Sequence, residues 1–151
     1  RADPDVIMVG EMRDATSIGA AMRAADTGAM VLSTVHTRTA ASVPGRLLDF
    51  FPEEEREMQR KKYSEVIVGA VAQRMCPTLD GGMVPAQEIM IGTPAIRNLI
   101  REGKVAQMYS AIQTGASIGM QTLDQCLQDL LSKGMITRDT AREKAKIPEN
   151  F

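Results

Sequence analysis

Two side chains in the first quarter of the chain have the type and setting for chemistry on phosphoryl groups. Glu11 comes directly after the apolar run Val6, Ile7, Met8, Val9 and the turn residue Gly10. A carboxylate held at the carboxyl end of a stiff strand is placed to act on a metal ion, or on a water ordered by one. His36, the only histidine, follows a second apolar run inside the polar string Ser33, Thr34, Thr37, Arg38 and Thr39. Hydroxyls, one imidazole and an arginine suit phosphoryl oxygens, because such donors follow charge as it moves without adding a strong base. Taken singly, Glu11 also reads as a solvated loop carboxylate and His36 as an ordinary polar contact. The pair points to chemistry because the elements between them bring them to one place.

Val6 to Val9, bounded by Pro4 and Gly10, read as a strand buried on both faces. Asp14 can cap a helix from about Ala15 to Asp26, with Ile18, Ala21, Met22 and Ala25 on one face, and Thr27 and Gly28 stop it. Met30 to Ser33 form a second short strand. Two strands joined by such a helix make a βαβ unit with parallel strands and a right-handed crossover. Glu11 and His36 then emerge at the same sheet edge. Arg13 and Asp14, beside Glu11, read individually as a solvated ion pair.

Composition narrows the class. The chain has 151 residues, 44% apolar and 25% charged, with net charge -1. No overall basic field exists to hold nucleic acid, and aromatics at 3% leave little for base stacking. No apolar run approaches the roughly 18 residues of a membrane span. Cys76 and Cys126 lack metal-ligand spacing and suit reduced thiols. Opening on Arg1 a few residues before a buried strand, the chain reads as the later part of a longer polypeptide.

Further along, a helix starts near Ser42 with Pro44 in its first turn. Phe50, Phe51 and Pro52 turn the chain, and Glu53, Glu54 and Glu55 open a helix running to about Val68. Val71 to Pro77 and Met83 to Ile91 read as antiparallel strands around Asp80, Gly81 and Gly82. Thr93 caps a helix with Ala95, Ile96, Leu99 and Ile100 on its apolar face and Arg97, Asn98, Arg101 and Glu102 facing solvent. Gly103 ends it. Val105, Met108, Tyr109 and Ile112 mark a second helix, and Met120, Leu123, Leu127, Leu130 and Leu131 a third, stopped by Gly134. Thr137 caps a last one through about Lys146. The expected division is an α/β part, residues 1–92, and an all-helical part, residues 93–151.

Arg1, Pro4, Asp5 and Val6 through Asp14 resemble the Walker B signature of the type II and type IV secretion ATPases, and Thr27 to Thr37 resembles their His box. Ala95 to Glu102, AIRNLIRE, is similar to a motif of the subfamily that retracts type IV pili, and IPENF, Ile147 to Phe151, to the way those proteins finish. The resemblance implies a partial RecA-like (P-loop NTPase) core with a mainly parallel sheet, followed by a small helical C-terminal domain. It implies part of a cytoplasmic motor, peripheral to the inner membrane, that hydrolyses ATP with Mg²⁺ to drive pilus retraction and twitching motility. Its partners would be sister subunits of a homo-hexamer and the inner-membrane platform proteins of the pilus base, with no nucleic acid.

By the same resemblance Glu11 is catalytic and holds Mg²⁺ directly or through water, and His36 is a catalytic sensor near the γ-phosphate. Arg13 and Thr37 join Glu11 in contacting nucleotide. Ala95, Ile96, Arg97, Asn98, Leu99, Ile100, Arg101 and Glu102 form an interaction face. The departures are also informative. Ala29 stands where the family has a further His, and Pro44 and Gly45 interrupt a stretch the family builds as regular helix. No G-x-x-x-x-G-K-[ST] occurs, so the chain alone lacks a phosphate cradle and is expected not to hydrolyse ATP. An unpaired strand edge is expected at Met30 to Ser33. The alternatives are a non-catalytic interaction or oligomerisation module, or a related secretion or pilus-extension ATPase.

Overall fold

The computed structural model describes residues 3–151; Arg1, with which the first signature opens, lies outside the described residues. The elements are β1 (Val6–Val9), α1 (Ala15–Asp26), β2 (Met30–Ser33), α2 (Val43–Leu48), α3 (Glu53–Val66), β3 (Gly69–Pro77), β4 (Met83–Ile91), α4 (Pro94–Glu102), α5 (Val105–Gln113), α6 (Leu123–Ser132) and α7 (Arg138–Lys144). The fold is α/β, with one parallel strand pair and one antiparallel hairpin.

The chain forms two compact units that interleave along the sequence: 1–37, 42–68 and 92–105 in the first, and 38–41, 69–91 and 106–151 in the second. A single cut at residue 92 therefore does not describe them. The β3–β4 hairpin groups with the C-terminal helices, and α4 groups with the strand pair. Burial of apolar faces decides membership, and it pays no attention to order along the chain.

In the first unit β1 and β2 run parallel, with Val6 opposite Met30 and Val9 opposite Ser33. Asp14 begins α1 as expected, accepting the Ser17 N–H at 2.7 Å, and Ile18, Ala21 and Met22 are buried. The expectation that β1 is buried on both faces fails. Val6 and Met8 are 58% and 64% exposed, and Met30 and Leu32 across the register are exposed with them. Ile7, Val9, Val31 and Ser33 alternate as the half-buried face. A two-stranded sheet flanked by this unit's helices is covered by the described residues on one side only, so period-2 alternation appears where a continuous apolar run suggested double burial. β2 pairs with β1 alone among the described residues.

Pro44 sits in the first turn of α2, where its missing N–H has no helical partner to lose. Helix α3 stops at Val66, two residues short of expectation, because Ile67 is extended with ψ 129°. Three carbonyls at this junction, those of Glu65, Ile67 and Gly92, accept from the Arg97 guanidinium at 2.9, 2.8 and 2.8 Å. Arg97 therefore ties the start of α4 to the end of α3 instead of facing solvent. Thr93 caps α4 through the Ile96 N–H, and Gly103, with φ 70°, ends it in the left-handed region.

In the second unit the hairpin carries Cys76 and Ala86 into a core with Leu123, Leu127, Leu130, Ile136, Ala141 and Phe151. Helix α6 begins at Leu123, not at Met120, because Thr122 and Gln125 close a capping box. Asp124 accepts the backbone N–H groups of Lys146 and Ile147 at 2.7 and 3.0 Å. That bond lies beyond the end of α7, which stops at Lys144. No described helix is long and apolar enough to cross a membrane.

Candidate functional site

The parallel register offsets β1 and β2 by 24 positions, and the offset persists past the strand ends: the Thr34 hydroxyl donates to the Gly10 carbonyl at 2.6 Å, and the Met12 N–H to the Thr34 carbonyl at 3.1 Å. The two loops leaving the carboxyl ends of the strands are thus laced together. This brings Glu11 beside His36, with Oε1 2.7 Å from the imidazole Nε2. The other carboxylate oxygen accepts from Arg13 Nε at 2.6 Å. Arg13 pairs with Glu11 and Asp14 caps α1, so the expected Arg13–Asp14 ion pair is replaced by these two contacts.

Electrostatics follow from the geometry. The hydrogen bond from Arg13, then that from His36, holds the Glu11 carboxyl below its ordinary pKa. Glu11 is therefore ionised at neutral pH, and the His36 nitrogen facing it carries a proton. The Glu11 side chain is 26% exposed and that of His36 81%, so the site is open to solvent. A carboxylate so weakly basic is suited to orienting a water or sharing a cation, and less suited to taking a proton itself.

These groups line a cleft of about 220 Å³. Sequence reading missed two of its walls, Arg46 from α2 and Phe50 just beyond it; the Arg46 Cζ lies 5.2 Å from the Phe50 ring centroid. The signal available was the four-residue spacing of a cation and an aromatic, which places both on one side of a helical turn. Thr37 follows His36 and is half-buried. Ser33 Oγ, at the last residue of β2, is buried without a hydrogen-bond partner among the described residues.

Glu11 is the one carboxylate of the cleft, and no cage of three His, Cys, Asp or Glu side chains exists among the described residues. Mg²⁺ commonly takes one or two carboxylates, with phosphate and water oxygens completing its shell. Glu11 fits that donor set as a single, water-mediated ligand.

Residues 95–102 contribute nothing to this cleft. Ile96 and Ile100 are 0% and 1% exposed, and Arg97 is engaged with carbonyls. Of the expected interaction face, Ala95, Asn98, Arg101 and Glu102 are exposed. Asn98 and Glu102 hydrogen-bond each other at 3.1 Å, and Lys104 pairs with Glu102 at 2.7 Å.

Residues 1–87 match the family described as "Type II/IV secretion system protein". The chain belongs to this family. Among secretion-family relatives, it is 60% identical over 151 residues to the "Type IV pilus retractation ATPase PilT" of Pseudomonas aeruginosa, covering 100% of this chain and 44% of that one. It is 48% identical over 152 residues to the "Twitching motility protein" of Neisseria gonorrhoeae, covering 100% of this chain and 41% of the relative. The crystal structure of the pilus retraction motor PilT with bound ADP superposes with a TM-score of 0.88 at 43% identity, over 100% of this chain and 42% of that one. That likeness identifies the α/β part as a partial RecA-like core. The chain spans less than half the length of these secretion-family relatives.

Proposed function

We propose that this chain is the C-terminal portion of a ring-forming ATPase that retracts type IV pili. The observation that carries the reading is the Glu11–His36 contact at 2.7 Å, at the carboxyl edge of parallel strands. In open α/β sheets that edge is where ligands bind. In this reading the whole protein is a homo-hexamer at the cytoplasmic face of the inner membrane, working on platform proteins of the pilus base; the names of its relatives support the pilus-retraction ATPase and the link to twitching motility.

In that protein Glu11, ionised and fixed by Arg13 and His36, orients the attacking water. Mg²⁺, held by Glu11 through water, would neutralise charge on the β- and γ-phosphates. His36, more exposed than Glu11 and bonded to it, reads whether the γ-phosphoryl is present. Its hydrogen bond to Glu11 couples that occupancy to the loop leading into α2. Thr37 offers a hydroxyl beside the same phosphates. Phosphate cradling falls to residues outside this chain, which has no G-x-x-x-x-G-K-[ST]. The chain alone is therefore inactive in this reading.

The test is Glu11→Gln in the full-length protein. Gln keeps the size and loses the charge, and ATP turnover should fall to background while the hexamer persists by light scattering. Turnover at the parental rate would refute the assignment. The missing phosphate loop favours a second reading, in which the chain is an interaction module. Micromolar binding of Mg-ATP by this chain alone would contradict that second reading.

A further inference from the structure

Arg46 is the group in the cleft that the proposed chemistry leaves without a task. Both Glu11 oxygens are occupied, one by Arg13 and one by His36. The charges of Glu11 and Arg13 cancel, which leaves the Arg46 guanidinium as the uncompensated charge of the cleft. Three other arginines of the first unit have fixed engagements: Arg13 with Glu11, Arg97 with three carbonyls and Arg56 with the Phe51 carbonyl at 3.1 Å. Arg46 makes no hydrogen bond or ion pair with the described residues; its guanidinium lies over the Phe50 ring, with Cζ 5.2 Å from the centroid.

An aromatic face orients a guanidinium without occupying its N–H donors. The Arg46 fork is therefore pre-positioned with its donors free. A cleft with net positive charge and a free planar fork favours a tetrahedral oxyanion over a second cation.

We infer that Arg46 is a phosphoryl-contacting residue of this site, delivering a bidentate contact to the oxygens of the group being transferred or released. The inference rests on the hydrolytic reading above and adds a residue to it. Two sources share this chemistry, the γ-phosphoryl of bound nucleotide and free inorganic phosphate. They differ in where the contact is felt. A contact that tightens as charge develops lowers kcat when removed and leaves KM in place, whereas a grip on the separated anion sets how strongly phosphate binds.

The experiment uses the full-length protein with Arg46→Gln and Arg46→Lys, and reads steady-state ATP turnover alongside calorimetric binding of inorganic phosphate. Gln keeps a planar group for Phe50 and removes the charge. Lys keeps the charge and removes the fork. Loss of a contact to the γ-phosphoryl lowers kcat by about 100-fold in Arg46→Gln with KM for ATP held, and Arg46→Lys recovers only part of the rate. Loss of a contact to the free anion weakens phosphate binding by about tenfold or more instead. Either result supports the inference and identifies the source. If turnover, KM and phosphate binding all stay at parental values in both variants while Glu11→Gln abolishes turnover, the role of Arg46 is overturned and the hydrolytic reading stands. If Glu11→Gln itself turns over normally, the underlying reading fails and takes this inference with it. Arg46 is exposed, so both variants should keep the parental melting temperature.

Discussion

At Glu11, ionisation is set by two neighbours of unequal weight. The hydrogen bond from Arg13 lowers its pKa most, and that from His36 comes second. A group with a lowered folded-state pKa adds stability above its unfolded pKa, and loses it as pH falls through the folded value. Arg13→Gln should therefore raise the Glu11 pKa toward the ordinary carboxylate range, and by more than His36→Ala does. Carbon-detected NMR titration of the Glu11 carboxyl measures both, and an unmoved titration in Arg13→Gln would show that Arg13 does not hold the charge. In the full-length protein the acid limb of the turnover profile should move to higher pH in Arg13→Gln. The Glu11–His36 pairing was legible in the sequence, since a βαβ unit puts both strand ends at one edge. Arg46 was not, because its place beside them depends on how α2 packs.

At the scale of one element, α4 shows how a motif read as a surface divides into different physical jobs. Ile96 and Ile100 are core, Arg97 is a clamp on carbonyls, and Asn98, Arg101 and Glu102 remain exposed. Ile96→Ala should cost about 2–5 kcal/mol in urea unfolding, as a cavity in a packed core does. Asn98→Ala on the opposite face should stay within about 0.5 kcal/mol. Equal effects would mean that α4 does not use that face for packing. Helical periodicity placed Ile96 and Ile100 on the buried face, whereas Ala95, expected beside them, is exposed. It could not separate Arg97 from Arg101, since both fall on the polar side. Only the C-terminal end of α3, where carbonyls beyond the last helical bond accept from Arg97, distinguishes them.

Across the whole molecule, the interleaved units make a prediction about fragments. Residues 93–151 leave α4 without α3, and they leave α6 without the hairpin that supplies Cys76 and Ala86 to its core. Expressed alone, 93–151 should show no cooperative thermal transition by circular dichroism. A sharp transition would instead restore a boundary at residue 92.

The sequence by itself determined the local features: the caps at Asp14, Thr93 and Thr137, the stop at Gly103, the hairpin, and the common edge that carries Glu11 and His36. Each follows from interactions a few residues in range, or from the fixed topology of a βαβ unit. Tertiary structure decided which strand faces stay exposed, which arginine is free and which helix belongs to which core. Those outcomes depend on what packs against each face, and residues far apart in the chain supply that packing.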